Sequence, residues 1–550
     1  MEELAGFGVG RGLAVGPLLK MGAPLLEPPD VPLQETPETA KSAVRQASTE
    51  VVADIQRRAH AATGDTADIL NATALIAGDP TLLNDICTRI DSGKSPARAV
   101  YDSLDEYAET LRSMGGYMAE RAGDLADVSQ RIRATLAGLP LPSVPTSDIP
   151  FILGARDLAP ADTSMLDFDL VKGIITEEGG PTGHTAVIAR ANGVPAIVGA
   201  QGISKVPDET TVLLNAKTDC VTVDPSPKQV HDAEEKIAKL AAREPTSGPG
   251  VFADGTPIPL LANVGSSDEA EQAVAAGAEG VGLFRTEFLY LSSNEPPSLD
   301  DQVREYEALF SHFPGKKVVV RTLDAGADKP LPYLNFEDEP NPALGRRGFR
   351  ATAGNAIGTA QLEAIGKACE NTKANVFVMA PMIADAGQAA EFVQMALDHG
   401  LQTPGVMAEV PSIAILADQI FDVCEFVSVG TNDLTQYTLA ADRLLSSVAR
   451  YQNPWHPAVL RLIRVLGDAA KKAGKDMGIC GEAAADPDLA PILVGLGATS
   501  LSMAPSALDD VRWSLRQTTP DIAKVAADAA CRAQSASAAK RVALKVLSES

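Results

Sequence analysis

The segment FVSVGTND, residues 426–433, decides the fold expected for this 550-residue chain. Its apolar first half is typical of a buried parallel strand, and the polar residues Asn432 and Asp433 follow where such a strand ends. Seven further segments have the same character, which makes eight strand candidates: IPLLANV (258–264), GVGLFRT (280–286), KKVVVRTLDAG (316–326), VFVMAPMI (376–383), GVMAEV (405–410), DMGIC (476–480) and SLSMAP (500–505). Helix-favouring stretches such as DEAEQAVAAGA (268–278) separate most of them. The alternation predicts a (β/α)8 barrel of the TIM type over residues 251–550.

The first 225 residues are organised differently. Residues 33–139 favour helix almost throughout, and we expect about four helices there. Ser95 and Pro96 are typical of a helix N-cap and first helical residue. Strand candidates lie on both sides: GLAVGPLLK (12–20) before, and FILGA (151–155), KGIIT (172–176), PAIVG (195–199) and TVLLN (211–215) after. Residues 1–32 and 140–225 are therefore predicted to form one small α/β domain into which a helical bundle is inserted.

A linker is predicted between the two halves. Residues 226–250 contain a charged, helix-favouring stretch followed by PTSGPG (245–250), which predicts a helix and then a break. The expected fold class is multidomain α/β: a small domain with a helical insert, followed by the barrel.

The composition excludes several classes of function. A formal net charge of −25, from 47 Lys and Arg against 72 Asp and Glu, argues against a nucleic-acid partner, because neutralising phosphates needs clustered cations. An acidic surface suits solubility or a basic protein partner. There is no cationic leader and no apolar run of about 18 residues, so we expect no membrane insertion and a cytoplasmic location. The six cysteines lack metal-binding spacing, as in a reducing compartment.

The active site of a (β/α)8 barrel lies at the carboxyl ends of its strands. Polar residues close or follow five of the eight predicted strands: Arg285 and Glu287, Arg321 and Asp324, Glu409, Asn432 and Asp433, and Cys480 with Glu482. These side chains are therefore predicted to gather at one end of the barrel.

Two carboxylates of this set are candidate metal ligands. Glu409 and Asp433 end successive predicted strands, so they are predicted to share an oxygen-preferring cation such as Mg²⁺, with Asn432 nearby. The alternative is that each carboxylate only caps the helix that follows it.

Arginines and a thiol accompany these carboxylates. Planar, permanently charged guanidinium groups suit phosphate, and they occur at four places: Arg285, Arg321, Arg443 and the Arg346-Arg347 pair of NPALGRRGFR (341–350). A lone arginine at a strand end is usually an ion-pair partner. Several around two carboxylates predict a phosphorylated small molecule that also bears a carboxylate, held with a divalent metal. Cys480 either donates or accepts a proton there or is a core thiol.

One of only six histidines lies in EEGGPTGHTAVIARANGVPAIVG, residues 177–199. KGIITEE (172–178) predicts a strand, HTAVIARA (184–191) a helix, and Asn192-Gly193 the end of that helix. His184 then lies at a helix N-terminus, where free N–H groups and the helix dipole favour an anion and disfavour imidazolium. It is either a neutral nucleophile beside a phosphate site or a structural cap.

Together these motifs resemble Enzyme I of the bacterial phosphoenolpyruvate-dependent sugar phosphotransferase system, over nearly the full length of the chain. GGPTGHTAVIAR (179–190) is similar to the family's phosphohistidine signature. GVGLFRTEFLY (280–290) and VVVRTLDAGADKPLPYLNF (318–336) are similar to its first barrel motifs, and FVSVGTNDLTQYTLAADR (426–443) to its most distinctive segment.

The resemblance implies a reaction and a role for each candidate residue. His184 would take the phosphoryl group from phosphoenolpyruvate, with Thr163 steadying its ring, and Cys480 would protonate the enolpyruvate carbon. Glu409 and Asp433 would hold Mg²⁺. The phosphate and carboxylate of the substrate would be bound by five residues: Arg285, Arg321, Arg347, Asn432 and Arg443.

The resemblance also implies partners and motion. The family passes its phosphoryl group to the carrier protein HPr, which docks on the helical insert, and it usually forms a homodimer through the barrel. Acids in YDSLDEYAET (101–110) and YMAERAGDLADVSQRI (117–132) suit a basic partner. Since His184 and the barrel must meet for one transfer and separate for the next, residues 226–250 are expected to act as a hinge.

The chain departs from the family's pattern in two places. Pro181 and Gly183 flank Thr182 where the family more often has a polar residue and Ser. ILNATALIAGDPTLL (69–83) lacks the His common in the matching helix, so the partner is an HPr or a variant of it.

Two other functions are alternatives. One is a regulatory phosphorelay protein or phosphoenolpyruvate-sensing paralogue, although the intact Cys480 and both metal carboxylates argue against an inactive enzyme. The other is a relative of phosphoenolpyruvate synthase or pyruvate phosphate dikinase. That enzyme needs a nucleotide-grasping domain, for which the first 145 residues leave no room.

Overall fold

The computed structural model describes residues 2–549 with these exceptions: 11, 23–24, 62–64, 115, 140–143, 146, 159–161, 163–165, 180–183, 292–294, 327–330, 332, 335–338 and 444. The chain divides into two compact units, Met1–Arg243 and Glu244–Ser550. None of the described helices combines the length and apolar character needed to cross a membrane.

An eight-stranded sheet forms the centre of the first unit. Its strands are β1 (Glu2–Ala5), β2 (Phe7–Val9), β3 (Leu13–Lys20), β4 (Phe151–Ala155), β5 (Val171–Thr176), β6 (Ala196–Val198), β7 (Thr211–Asn215) and β8 (Cys220–Val223). They lie in the order β1-β8-β7-β3-β4-β5-β6-β2, with parallel pairing from β3 to β6 and antiparallel pairing elsewhere. The sequence predicted β3 to β7. The other three strands, β1, β2 and β8, were not predicted; each has three or four residues and pairs antiparallel with a neighbouring strand.

Five described helices are inserted between β3 and β4. They are α1 (Pro37–Ala61), α2 (Asp65–Ala77), α3 (Pro80–Asp91), α4 (Pro96–Met114) and α5 (Gly116–Leu136). They bury apolar side chains such as Val51, Ile86 and Leu104 in a core of their own. About four helices were expected. The helical segment is divided once more than expected, before α3. Asp79 accepts hydrogen bonds from two backbone N–H groups there, so it caps the start of α3 as a separate helix.

Two further helices belong to this unit. Helix α6 (His184–Ala191) lies between β5 and β6 and buries Ala186 and Ala189 against the sheet. Helix α7 (Pro227–Ala241) follows β8 and begins with a capping box formed by Ser226 and Gln229. Both helices lie where the sequence predicted helix.

Eight parallel strands close into a barrel in the second unit. They are β9 (Leu260–Val264), β10 (Val281–Arg285), β11 (Lys317–Arg321), β12 (Asn375–Ala380), β13 (Pro404–Ala408), β14 (Phe426–Gly430), β15 (Asp476–Cys480) and β16 (Ser500–Met503). Each strand pairs with the next, and β16 returns to β9. Each coincides with one of the eight predicted segments, except that β12 and β13 begin one residue earlier than predicted. The expected multidomain α/β fold with a (β/α)8 barrel is therefore confirmed.

Helices pack around this barrel and follow its strands. They are α8 (Ser267–Ala275), α9 (Glu287–Leu291), α10 (Leu299–Ser311), α11 (Phe349–Thr352), α12 (Ala356–Glu370), α13 (Ala386–Asp398), α14 (Pro411–Ile415), α15 (Ala417–Val423), α16 (Thr431–Leu439), α17 (Pro457–Ala473), α18 (Glu482–Ala485), α19 (Ala490–Gly495), α20 (Leu508–Leu515), α21 (Pro520–Arg532) and α22 (Ala536–Glu549). A separate buried cluster that includes Leu283, Met379 and Met407 packs on the strands below their polar ends. Because the barrel interior is packed in this way, the strand ends are the place for a ligand.

Candidate active site

The carboxyl ends of the barrel strands form a polar rim. Arg285, Arg321 and Cys480 are the last residues of β10, β11 and β15. Other predicted site residues directly follow a strand: Glu409 after β13, and Asn432 and Asp433 in the first turn of α16 after β14. Because all eight strands are parallel, these ends meet at one side of the barrel, as the sequence predicted.

A chain of alternating charges runs across this rim. Glu287 accepts a hydrogen bond from Arg321 (Nη2–Oε1 2.8 Å), and Arg321 lies 3.4 Å from Asp324 (Nη1–Oδ2). Asp324 also accepts from Nε and Nη2 of Arg347, at 3.2 and 3.1 Å. The far side of Arg347 pairs with Asp433 through Nη1–Oδ1 and Nη2–Oδ2, at 2.8 and 2.9 Å. All five side chains are buried, so these pairs are largely shielded from water.

The two arginines of this chain are held in the charged form. Burial alone would lower the pKa of Arg321 and of Arg347. The neighbouring carboxylates more than offset this effect of burial, so both pKa values are raised. Among the carboxylates, Glu287 contributes most for Arg321, and Asp324 contributes most for Arg347. The rim therefore carries two permanent cations at a buried position.

Arg347 comes from the connection between β11 and β12 rather than from a strand end. Its Nη1 also donates to the hydroxyl of Tyr437 at 3.3 Å, so all three of its nitrogens are bonded. Gly326 allows this approach: with φ +107°, it lies where an added Cβ would be 2.6 Å from the carbonyl oxygen of Arg346. Arg346 itself is exposed, so only one member of the predicted pair reaches the rim.

Glu409 is buried beside these charges without an arginine bonded directly to it among the described residues. Its Oε1 accepts a hydrogen bond from the backbone N–H of Met382 at 2.6 Å. Burial, and then the negative charges of Asp433 and Asp324, raise the pKa of Glu409 to about 8. A buried carboxylate that is destabilised in its charged form fits a position where a cation binds.

The residues present fit a divalent cation that is held only in part by the protein. No cluster of three or more His, Cys, Asp or Glu side chains forms a metal cage in the described part of the chain. Glu409 and Asp433 offer hard oxygen ligands from neighbouring strands. Mg²⁺ usually takes one or two carboxylates and completes its octahedron with water and substrate phosphate oxygens, so two ligands suffice.

Cys480 is a fully buried thiol on the same rim. Its Sγ accepts a hydrogen bond from the Ser428 hydroxyl at 3.3 Å and donates to the carbonyl oxygen of Val429 at 3.4 Å. Burial raises the pKa of Cys480 to about 11 although Ser428 and Arg321 lower it. The group is therefore a neutral S–H donor at physiological pH.

The other predicted substrate residues lie around the charged chain. Arg285 is half-buried with its guanidinium 5.6 Å from the ring centre of Phe288, and its Nε, like that of Arg321, has no hydrogen-bond partner among the described residues. Arg443 is half-buried, with Nη1 3.8 Å from Oδ2 of Asp433. Asn432 is exposed. Donors thus remain for an anionic ligand at the edge of the rim.

His184 begins helix α6 in the first unit, as its sequence context predicted. The strand β5 precedes it, and Gly193, with φ +66°, follows the end of the helix. Thr163 and the departures at Pro181, Thr182 and Gly183 lie outside the described residues. Asp162, next to Thr163 in sequence, is buried and pairs with the fully buried Arg131 of α5 (Nη2–Oδ1 3.1 Å).

Several residues of the site had no role in the sequence interpretation. Glu287 and Asp324 were noted only as polar residues near strand ends, and their positions three residues or fewer beyond β10 and β11 were the one signal available. Tyr437 of α16 lies within the distinctive segment 426–443 but was given no role, and Gln361 of α12 lies outside every motif. Gln361 nevertheless accepts from the backbone N–H of Leu323 at 2.8 Å and so supports the segment after β11.

Comparisons with known proteins show the family to which the chain belongs. Three family models match the chain: PEP-utilising enzyme, N-terminal (residues 5–121); PEP-utilising enzyme, mobile domain (148–226); and PEP-utilising enzyme, PEP-binding domain (241–519). His184 lies in the second match and the polar rim in the third.

Similarity also extends over whole chains. The phosphoenolpyruvate-protein phosphotransferase of Streptomyces coelicolor is 46% identical over 551 residues, covering 99% of each chain. The protein of the same name from Bacillus subtilis is 35% identical over 539 residues, covering 94% of each chain. That of a Bacillus species is 38% identical over 504 residues, covering 87% of this chain and 86% of the relative. The chain therefore belongs to the phosphoenolpyruvate-protein phosphotransferases, the Enzyme I family.

Proposed function

We propose that this chain transfers the phosphoryl group of phosphoenolpyruvate to its own His184, with release of pyruvate, and then to a histidine of the carrier protein HPr. This is the first step of a sugar phosphotransferase system. The observation that carries the proposal is the barrel rim, where two buried arginines, four buried carboxylates and a neutral thiol converge. They suit a substrate that is phosphorylated, bears a carboxylate and must gain a proton at carbon.

Substrate binding falls to the cationic and amide groups of the rim. Arginine forks bind phosphate and carboxylate with two parallel hydrogen bonds, and phosphoryl transfer depends mainly on positioning and charge neutralisation. Five residues are assigned to this role: Arg285, Arg321, Arg347, Asn432 and Arg443. Glu409 and Asp433 are proposed to hold Mg²⁺, which when bound neutralises charge on the phosphoryl oxygens.

The reaction balances with the groups assigned. A ring nitrogen of His184 forms the bond to phosphorus while the bond between phosphorus and the enol oxygen breaks. The electron pair left on that oxygen forms the carbonyl of pyruvate as the terminal carbon takes up a proton. Cys480 is proposed to supply this proton, since its buried thiol is neutral.

The carrier is proposed to dock on the helical insert. Exposed acids of α4 (Asp105, Glu106 and Glu109) suit a basic protein surface and support this assignment.

A homodimer through the barrel unit is also proposed. Exposed apolar side chains on that unit, among them Phe288 and Ile415, support a partner surface there. A protein with these partners would work in the cytoplasm.

The proposal is tested with phosphoenolpyruvate labelled in its phosphoryl group. With Mg²⁺ and no nucleotide, acid-labile and base-stable label is expected on the wild-type chain and not on His184→Ala. Adding HPr should remove the label. Label on His184→Ala, or a requirement for ATP, would contradict the assignment. Retention of label with every cognate carrier would favour a regulatory protein that accepts the phosphoryl group for another acceptor.

A further inference from the structure

Asp324 is the only one of the described carboxylates that contacts both buried arginines of the rim. Its side chain is 0% exposed, and its two oxygens accept from Nε and Nη2 of Arg347 at 3.2 and 3.1 Å. Oδ2 also lies 3.4 Å from Nη1 of Arg321. Both arginines are among the proposed substrate-binding residues, whereas Asp324 has no assigned role.

The position of Asp324 is set by its backbone and not only by the arginines. Its own N–H donates to Glu287 Oε1 at 3.0 Å, and the preceding N–H, of Leu323, donates to Gln361 at 2.8 Å. The carbonyl oxygen of Ala325 accepts from the N–H of Gly348 at 3.0 Å, which joins this segment to the one that carries Arg347. A carboxylate anchored in this way is a fixed reference point for groups that bond to it.

The geometry of Arg347 shows why such a reference is needed. The Nε and Nη2 atoms of its guanidinium group donate to Asp324, and the Nη1 and Nη2 atoms donate to Asp433. If Asp433 ligates a cation and Arg347 turns donors toward a phosphate, the bonds to Asp433 weaken and those to Asp324 remain. Asp324 also separates two like charges, which would otherwise repel each other at low dielectric.

We propose that Asp324 is a positioning residue, which holds the guanidinium groups of Arg321 and Arg347 at the spacing and angle that bind the phosphoryl group of the substrate. The inference rests on the proposed function. Asp324 does not touch the reacting atoms and acts only through the two arginines.

Asp324→Asn tests this with little change of shape. The amide keeps one acceptor oxygen, but it loses the negative charge, and its NH2 group faces an arginine donor. Arg347 therefore loses one of its two hydrogen bonds to this side chain, and both guanidinium groups lose a charged partner. We expect kcat/KM for phosphoenolpyruvate to fall about 10-fold to 100-fold, mainly through KM, as when other residues that orient functional side chains are replaced. A purely structural role would lower the amount of folded enzyme and leave KM unchanged.

The matched control is Asp528→Asn. Asp528 of α21 pairs with Arg464 of α17 (Nη1–Oδ1 2.6 Å) away from the strand ends, so the same substitution removes an arginine-bound carboxylate without touching the rim. It should leave KM at the wild-type value. If Asp324→Asn does not fold, Asp324→Ser, which leaves room for water, serves instead, and the same rise in KM is expected.

A double-mutant cycle separates action through Arg347 from a general effect. In an Arg347→Lys background, Asp324→Asn should change KM less than in the wild type, because the two-edged contact is already lost.

Phosphoenolpyruvate affinity measured by calorimetry with Mg²⁺ in the full-length His184→Ala chain gives the binding effect without turnover. Loss of that affinity in Asp324→Asn supports the inference, even if His184 labelling fails and the proposed function with it. Unchanged affinity and KM in a folded Asp324→Asn overturn the inference and leave the proposed function intact.

Discussion

Glu409 illustrates how burial changes the protonation of a carboxyl group. Its pKa is raised to about 8 by burial and then by Asp433 and Asp324. A carboxyl whose folded pKa exceeds its unfolded value stabilises the fold fully below the unfolded pKa, and loses that contribution as pH rises through the folded one. Without a bound cation, this group should therefore destabilise the chain as pH rises from about 4.5 to about 8.

We expect Glu409→Gln to remove the contribution of this carboxyl group to the pH dependence of fold stability. The unfolding temperature in EDTA should fall more steeply for the wild type than for Glu409→Gln between about pH 5 and pH 8. Added Mg²⁺ at about pH 8 should raise the unfolding temperature of the wild type and have little effect on the variant. Parallel pH profiles for the two proteins would show that Glu409 is not the group responsible.

Cys480 gives a second prediction at the residue scale. Because burial raises its pKa to about 11, the thiol stays protonated up to nearly that pH and should not limit activity near neutrality. Cys480→Ala should lower the rate of pyruvate formation by about 10²-fold or more, the usual contribution of a general acid, with little change in phosphoenolpyruvate affinity.

The control for that substitution is Cys424→Ala. Cys424 is also fully buried, and burial raises its pKa to about 12, but it lies at the end of α15 beside Lys475. Its replacement should affect stability and leave the rate of pyruvate formation unchanged. Equal kinetic effects of the two substitutions would argue that packing, rather than proton donation, explains the effect at Cys480.

At the scale of elements, the junction of β14 and α16 bears most directly on the position of the Glu409 carboxylate. Gly430 has φ −85°, so alanine meets no backbone strain there, but its Cβ would lie 2.8 Å from Oε2 of Glu409 and 3.1 Å from Sδ of Met407. Gly430→Ala should displace the Glu409 carboxylate and weaken Mn²⁺ or Mg²⁺ binding by about 10-fold or more. Titration of Mn²⁺ followed by electron paramagnetic resonance measures this directly.

Gly123→Ala in α5 is the matched control, since an added Cβ meets nothing within 4 Å. It should stabilise the helix slightly and leave metal affinity unchanged. A Gly430→Ala chain that binds Mn²⁺ as tightly as the wild type would show that the carboxylate moves away without loss, or that it is not a ligand.

The elements themselves were largely predictable. Each barrel strand was visible as an apolar run between helix-favouring stretches, because strands buried on both faces leave a continuous apolar signal. The short strands β1, β2 and β8 were missed because their partners, not their own sequences, stabilise them. The residues that surround the charged rim were only partly predictable. Gln361 and Tyr437 lie within helices whose sequences carry no sign of the contacts they make.

At the scale of the whole molecule, the attachment of the linker is informative. Within the second unit, Thr246 donates its N–H to Asp509 and its carbonyl oxygen accepts from Arg512 at 2.8 Å. Arg516 donates to the carbonyl oxygens of Ser247 and Pro249, at 2.7 and 3.3 Å. Most of PTSGPG is thus bonded within the barrel unit. We propose that the hinge lies just before it, near the boundary of the two units at Arg243 and Glu244.

Lengthening the chain at that boundary should separate binding from transfer. An insertion of about ten Gly and Ser residues between Arg243 and Glu244 lowers the effective concentration of His184 at the barrel. We expect slower labelling of His184 by phosphoenolpyruvate and unchanged affinity of the barrel for it. Rapid-quench labelling and calorimetry measure the two quantities. An undiminished labelling rate would show that the linker does not control the encounter.

The sequence by itself determined the fold class, the family and the identities of the charged residues, because apolar periodicity and local motifs are carried by neighbouring residues. Only the tertiary structure decided which charges neutralise one another. Arg347 bonds to Asp324 and Asp433, which are 23 and 86 residues away in the chain. Such pairs depend on how closed strands and their connections bring side chains within about 3 Å of each other, a distance that sequence separation does not encode. For that reason His184, Glu409 and Cys480 could be named as candidate site residues from the sequence, whereas the place of Asp324 between the arginines could not be predicted.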